Sequence, residues 1–361
     1  MTAVPRCAEI ARAGGYRPAG SAASAPIFLL VEVPLPWPSE VTQHPLVQPL
    51  ASIAAAHQAR VQALVPDPLV AATPEGMTRV VAYRRPKGPF HQFARDEHLV
   101  PTAHLAGAAE RLLAGSPDVG GPAALGRGSR PDGLHDPGQD PPSPVDDVLV
   151  CTHGRRDVCC GGDGFRMHRD LTASASRLPG VRVWRTSHTG GHRFAPTALT
   201  FPDGRAWASV DATTLAAIVT RSLEPAVAVA HDRGCAAFAD PFAQAADGAV
   251  LEAEGWRWLD MARTAHIDVL ADDRRAVTLT THADGGTEIA GSAGTRARAA
   301  GAEDADGSSR PDRAAADGRE PLTYRAEVVV RRVVPVPDCG RPIEEARKSS
   351  QDLEVVSLTR A

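Results

Sequence analysis

The stretch VDDVLVCTHGRRDVCCGGDGFRMHRDLTASASRLPGVRVW, residues 145–184, sets the frame for the rest of the chain. Its first seven residues read as a strand of buried type that delivers Cys151 at its end. After a loop holding two more cysteines, GFRMHRDLTASASRL places Phe165, Met167, Leu171 and Leu178 at helical spacing. VRVW (181–184) is a second strand, and it leads into SHTGGHRFAP (187–196), which carries His188 and His192. Further on, TALTF (197–201) and RAWASV (205–210) flank the hairpin turn PDG. DATTLAAIVTRSL (211–223) then runs as a helix with Asp211 as its N-cap. The order β-α-β-β-β-α suits a compact α/β layer of about one hundred residues. If the first two strands are parallel neighbours joined by a right-handed crossover, the cysteine and histidine loops open at the same end of the sheet.

At 361 residues the chain is long enough for two or three domains. The 39 basic residues stand against 43 acidic ones, a net charge of −4, which gives no electrostatic case for a nucleic-acid partner or an anionic membrane. Near the start, the apolar run from Ile27 to Val33 is interrupted by Glu32, too short and too acidic for a signal peptide or a membrane span. A cytoplasmic location is the expectation. In a reducing compartment, six cysteines with three of them clustered favour metal or redox chemistry over a disulfide framework.

Two stretches, 114–145 and 291–320, are rich in small and polar residues and nearly free of large apolar ones, so they read as disordered. They divide the chain. Residues 1–113 form an N-terminal α/β domain, with strands at PIFLLVEV (26–33) and TRVVAYRR (78–85) and a helix running into a strand over 45–65. Residues 114–145 are a linker, and 146–245 are the β-α-β-β-β-α domain. Residues 246–361 form a C-terminal, strand-rich extension, with strands at RRAVTLTTH (274–282) and YRAEVVVRRVVPV (324–336) on either side of the insert 291–320. No internal repeat is evident.

Cys151, Cys160, His188 and His192 are the strongest candidates for metal ligands. Thiolates and neutral imidazoles suit zinc, copper or an iron–sulfur cluster, and Gly190 and Gly191 allow the sharp bend that would aim both imidazoles at one metal. A structural zinc knuckle would use C-x₂₋₄-C, whereas eight residues separate Cys151 from Cys160. The boxes of a Rieske centre are absent, and so is the C-x-x-C of a dithiol oxidoreductase.

LVCTHGRRDVCCGGDG (149–164) and VWRTSHTGGHRFAPTALTFPDGRAWASV (183–210) together resemble the sucrase/ferredoxin-like family, relatives of the thioredoxin-like [2Fe–2S] ferredoxins. FLLVEVPLPWP (28–38), VPDCGRP (336–342) and LEVVSL (353–358) extend the resemblance over most of the chain. It implies a thioredoxin-like ferredoxin domain and a [2Fe–2S] cluster held by Cys151 and Cys160 on one iron and His188 and His192 on the other. Between the neighbours Cys159 and Cys160, family spacing favours Cys160. The sucrase part of the name finds no support, because no paired carboxylates mark a glycosidase site.

The implied function is electron transfer through a redox partner, as a carrier or sensor rather than a hydrolase. Replacing two thiolates by neutral imidazoles raises the reduction potential, and imidazole ligation couples electron uptake to proton uptake. A structural zinc module and a redox enzyme acting on an unknown substrate are the alternatives. His153 is expected beside the ligands rather than among them, with the amides of Gly154, Gly161, Gly190 and Gly191 donating to the sulfurs. Arg156 and Asp157 are expected to pin the cysteine loop. Cys7 and Cys235 read as incidental, and Cys339 has no derivable role. Deleting 118–140 or 293–317 is expected to leave soluble yield, melting temperature and cofactor content unchanged. Loss of soluble protein on either deletion would show a folded element there.

Overall fold

A computed structural model describes residues 6–115, 146–173, 178–282 and 321–361. Of the stretches read as disordered, 114–145 and 291–320, all but Ala114 and Gly115 lie outside the described residues, as do 174–177 of the helix read up to Leu178; Ala114 instead caps the helix that ends at Leu113. After a short helix, α1 (Cys7–Ala13), comes a first α/β unit. It contains β1 (Ile27–Glu32), α2 (Gln48–Ala56), β2 (Ala59–Leu64), β3 (Met77–Arg84), β4 (Ala94–Pro101) and α3 (Leu105–Leu113). Every residue of β1 is buried, as expected for an interior strand reading IFLLVE.

The unit read from the sequence follows. It comprises β5 (Asp147–Cys151), α4 (Phe165–Ala173), β6 (Arg182–Thr186), β7 (Thr197–Phe201), β8 (Arg205–Ala208) and α5 (Ala212–Val219). Asp211 caps α5 as expected, its carboxylate accepting from the Thr214 amide at 2.7 Å. The strands β5 and β6 are parallel, and β7 and β8 form the expected antiparallel hairpin. The chain is thus an α/β protein with the arrangement the resemblance implied. Beyond α6 (Pro225–Val229), β9 (Asp232–Cys235) and α7 (Pro241–Glu254), the C-terminal strands form a separate antiparallel sheet. These are β10 (Ala262–Ala271), β11 (Arg274–His282), β12 (Thr323–Val336) and β13 (Lys348–Arg360).

The first and second units share one sheet, in the order β4-β3-β1-β2-β6-β5-β7-β8-β9. Both units have the element order β-α-β-β-β-α, and both arrange their strands fourth, third, first, second toward the junction, with β9 added outside the second unit. They meet through their second strands, β2 and β6, which pair antiparallel at Leu64 and Thr186. The architecture is therefore an internal repeat about an approximate two-fold axis at this junction, invisible in the residues themselves. Alternation along the strands assigns the two faces. Ile27, Leu29 and Val31 of β1, with Val148 and Val150 of β5, pack beneath the helices α2 to α5. Phe28, Leu30, Leu149 and Trp184 point the other way, into a core shared with α7 and the antiparallel sheet. Three layers result.

Two buried carboxylates anchor the core, Asp147 across strands of the main sheet and Asp247 between α7 and both sheets. Asp147 accepts from Arg182 at 2.7 and 2.8 Å, from the Trp184 indole at 2.7 Å and from the Tyr83 hydroxyl. Asp247 accepts from Arg205 at 2.5 Å, from Arg263 at 2.6 Å and from the Trp258 indole at 2.9 Å. Burial opposes ionisation of both, but the facing guanidinium groups outweigh it and bring each carboxyl down to about 2. A carboxyl whose pKa is depressed on folding adds stability above its unfolded value, near 4, and loses it as pH falls through the folded value. Acid unfolding is therefore expected to steepen between about pH 4 and pH 2. Asp147→Asn is expected to cost about 3 kcal/mol by urea unfolding, because it leaves the Arg182 charge undercompensated, and to flatten that part of the acid transition.

Candidate metal centre

Because β5 and β6 run parallel with Cys151 level with Thr186, their following loops leave the same edge of the sheet. The Thr152 amide donates to the Thr186 carbonyl at 3.0 Å and closes this edge. His153 donates from Nε2 to the Pro38 carbonyl at 2.8 Å and packs edge-on against Trp37. It is thus occupied in fastening the cysteine loop to the first unit. The loop ends in one turn of π-helix, Cys160–Gly164, of the kind found at functional sites. Two glycines let this turn sit on the strand end. A Cβ on Gly164 would lie 2.0 Å from the Cys151 carbonyl oxygen, and one on Gly161 would lie 2.4 Å from the Gly154 Cα.

This close approach sets the Cys160 thiol against the Cys151 sulfur. A hydrogen bond from Cys160, aided by the adjacent His188, holds Cys151 well below the usual thiol range. The same bond, together with burial, pushes Cys160 up. The histidine loop is held from the first unit and from β9. Arg60 and Gln62 of β2 donate to the His188 carbonyl at 3.0 and 3.4 Å, and Arg233 donates to that of Gly190 at 3.1 Å. Gly191 turns in the left-handed region with the Arg233 guanidinium where a Cβ would project, 2.3 Å away. His188 Nδ1 is buried with no hydrogen-bond partner among the described residues. Sequence reasoning missed half-buried Arg60 and buried Arg233, since a cation that folds onto a remote loop carries no local signal. Burial pushes Arg233 down to about 9, opposed by the sulfurs of Cys160 and Cys151.

Of the four expected ligands, Cys151, Cys160 and His188 come together directly. His192 stands beside them, its ring 6.0 Å from that of His188 between centroids. Its Nδ1 lies 2.7 Å from Asp157 Oδ2 and 3.3 Å from Cys7 Sγ, leaving Nε2 for a ligand bond. Burial disfavours the Asp157 carboxylate, but His192 and the Cys160 amide more than compensate and lower its pKa.

Cys159 faces away from its neighbour. Its sulfur lies 3.0 Å from that of Cys339 and 3.7 Å from that of Cys7. With Asp157 these make a second group whose ligand atoms all lie within 4.8 Å of one another. Cys7 is therefore not incidental, and Cys339 has a place. The signal for this was the adjacent pair itself, because successive residues in a helical turn cannot both face one site. Cys235 does stay apart, buried against the Asp203 carbonyl at 3.6 Å.

The fold and these side chains define an α/β protein with a cysteine-rich candidate metal site at the carboxyl ends of β5 and β6. Residues 18–234 match the sucrase/ferredoxin-like family, well over half of the chain, and the chain belongs to that family. No curated protein and no solved structure matches it. Among the described residues no helix is long and apolar enough to cross a membrane.

The glycine packing is directly testable. Gly164→Ala forces a side chain into the Cys151 backbone and is expected to lower stability by about 1–3 kcal/mol in thermal unfolding, with loss of bound metal. Gly162→Ala, whose Cβ would meet only the Arg6 side chain at 3.6 Å, is expected to stay within about 0.5 kcal/mol of the parent.

Proposed function

We propose that this protein transfers single electrons through a [2Fe–2S] cluster held by Cys151, Cys160, His188 and His192. The observation that carries the reading is the convergence of Cys151, Cys160 and His188 at the ends of two parallel strands, with His188 Nδ1 buried and unpartnered. An S₂N₂ donor set suits such a group, and membership of a ferredoxin-like family points the same way. When bound, the cluster would supply a one-electron couple at a potential above that of an all-thiolate centre.

The chain's own residues supply the rest. Asp157 accepts a hydrogen bond from His192 Nδ1, which fixes the tautomer that presents Nε2 as ligand. Arg60 and Gln62 hold the His188 backbone in place, and Gly161 and Gly164 keep Cys160 against Cys151. The half-buried guanidinium group of Arg60 and the buried one of Arg233 favour added negative charge at the site. The redox partner is a protein that accepts or delivers one electron at this edge.

Iron and acid-labile sulfide analysis of the purified, red-brown protein is the test, with equal amounts of each expected. Cys151→Ser and Cys160→Ser are expected to abolish both, whereas Cys159→Ser retains them. Arg60→Gln is expected to lower the reduction potential, on the order of tens of millivolts. Colourless protein free of iron and sulfide, after reconstitution with both, would overturn the reading.

A further inference from the structure

We infer that Cys7, Cys159, Cys339 and Asp157 form a second metal site, for a structural zinc ion, separate from the Cys151–Cys160–His188 group. The inference does not depend on which metal that first group holds. Three sulfurs from three remote parts of the chain converge, Cys7 at the start of α1, Cys159 in the cysteine loop and Cys339 in the β12–β13 turn. The Cys7–Cys159, Cys7–Cys339 and Cys159–Cys339 separations are 3.7, 3.1 and 3.0 Å. Asp157 completes the set through Oδ1, 3.3 Å from Cys339 Sγ and 4.0 Å from Cys7 Sγ, while its Oδ2 stays with His192.

Tetrahedral zinc with bonds of about 2.3 Å to sulfur and 2.0–2.2 Å to carboxylate oxygen spaces its ligand atoms roughly 3.5–3.8 Å apart. The four atoms already stand close to that, and small outward movements of Cys339 complete it. Four ligands with no further position make a closed site of the structural kind, and a thiolate-rich tetrahedron favours zinc among the common divalent ions. Cys7 and Cys159 are wholly buried and Asp157 nearly so, while Cys339 is partly exposed and gives the ion its way in.

Without a cation, three thiols this close cannot all ionise in a buried place. A disulfide would use only two of the three sulfurs and would leave the third thiol and the carboxylate without a role. The surroundings suit a negatively charged metal–thiolate group, since the Arg6 side chain and the Ala8 amide both donate to the Cys159 sulfur. Zinc binding here would release the thiol protons and fasten the N-terminal helix and the C-terminal hairpin to the cysteine loop. Cys7 and Cys339 both fall outside residues 18–234, the part matched to the family.

The test is zinc and iron stoichiometry of the full chain, purified under reducing conditions, alongside cobalt titration of the metal-free protein. Parent protein is expected to hold about one zinc per chain and, with cobalt, to show thiolate-to-cobalt charge-transfer absorption. Cys339→Ala, a change in a partly exposed turn, is expected to lose the zinc and keep the iron content of the parent. Cys339→His, which restores a ligand, is expected to recover zinc, an outcome that loss of packing alone would not produce. In a Cys151→Ala and Cys160→Ala background the zinc is expected to remain. Zinc retained in Cys339→Ala would overturn the assignment. So would reduced parent protein that takes up neither zinc nor cobalt, or a disulfide between any two of Cys7, Cys159 and Cys339 in protein isolated metal-free.

Discussion

Cys151 of β5 lies level with Thr186 of β6 in a parallel pair, and the site is built outward from that register. A parallel pair leaves both of its following loops at one edge, where strand ends supply carbonyl and amide groups that need partners. Here the Thr152 amide meets the Thr186 carbonyl, and the cysteine loop folds back until Gly164 rests on the Cys151 carbonyl. A shift of one residue in the register would turn Cys151 toward the opposite face of the sheet and away from His188.

The first unit serves the second as a buttress. It repeats the same element and strand order but ends β1 in Glu32 and β2 in Leu64, with no thiol or imidazole at either strand end. Its contribution comes across the β2–β6 junction. Ser187 Oγ accepts from the Ala63 amide, and Arg60 and Gln62 grip the His188 carbonyl. Pro38, in the loop after β1, receives His153. The first unit thus anchors the cysteine and histidine loops of the second, because buried hydrogen bonds are costly to leave unmade.

Asp157 stands between the Cys151–Cys160–His188 group with its neighbour His192 and the Cys7–Cys159–Cys339 group. One oxygen meets His192 and the other accepts from the amides of Cys159 and Cys160 and lies beside Cys339. A change on the Cys7 side would therefore reach His192 both through this buried carboxylate and directly, since Cys7 Sγ lies 3.3 Å from His192 Nδ1. The carboxylate link is physical rather than statistical, since one side chain makes both contacts.

Much of the second unit was legible in the residues alone. Buried-strand runs, helical spacing at Phe165, Met167 and Leu171, the PDG turn and the Asp211 cap are local patterns, and each has a local physical cause. The convergence of Cys151, Cys160 and His188 followed from the same patterns once the crossover was taken as right-handed. The repeat was not legible, because two units can share a chain path while their exposed and buried side chains differ throughout. Nor were Arg60 and Arg233, which hold the histidine loop from strands remote in sequence. Cys7 and Cys339 lie 332 positions apart, and no spacing rule reaches that far. Their sulfurs meet because α1 packs on the turn His192–Phe194 within the histidine loop while the β12–β13 hairpin returns to the same edge. Sequence by itself determined which residues could bind a metal, since that is a property of side-chain chemistry. Only the packing of three layers decided which of those residues share a site, because proximity across hundreds of residues is set by how the layers stack and not by local propensity.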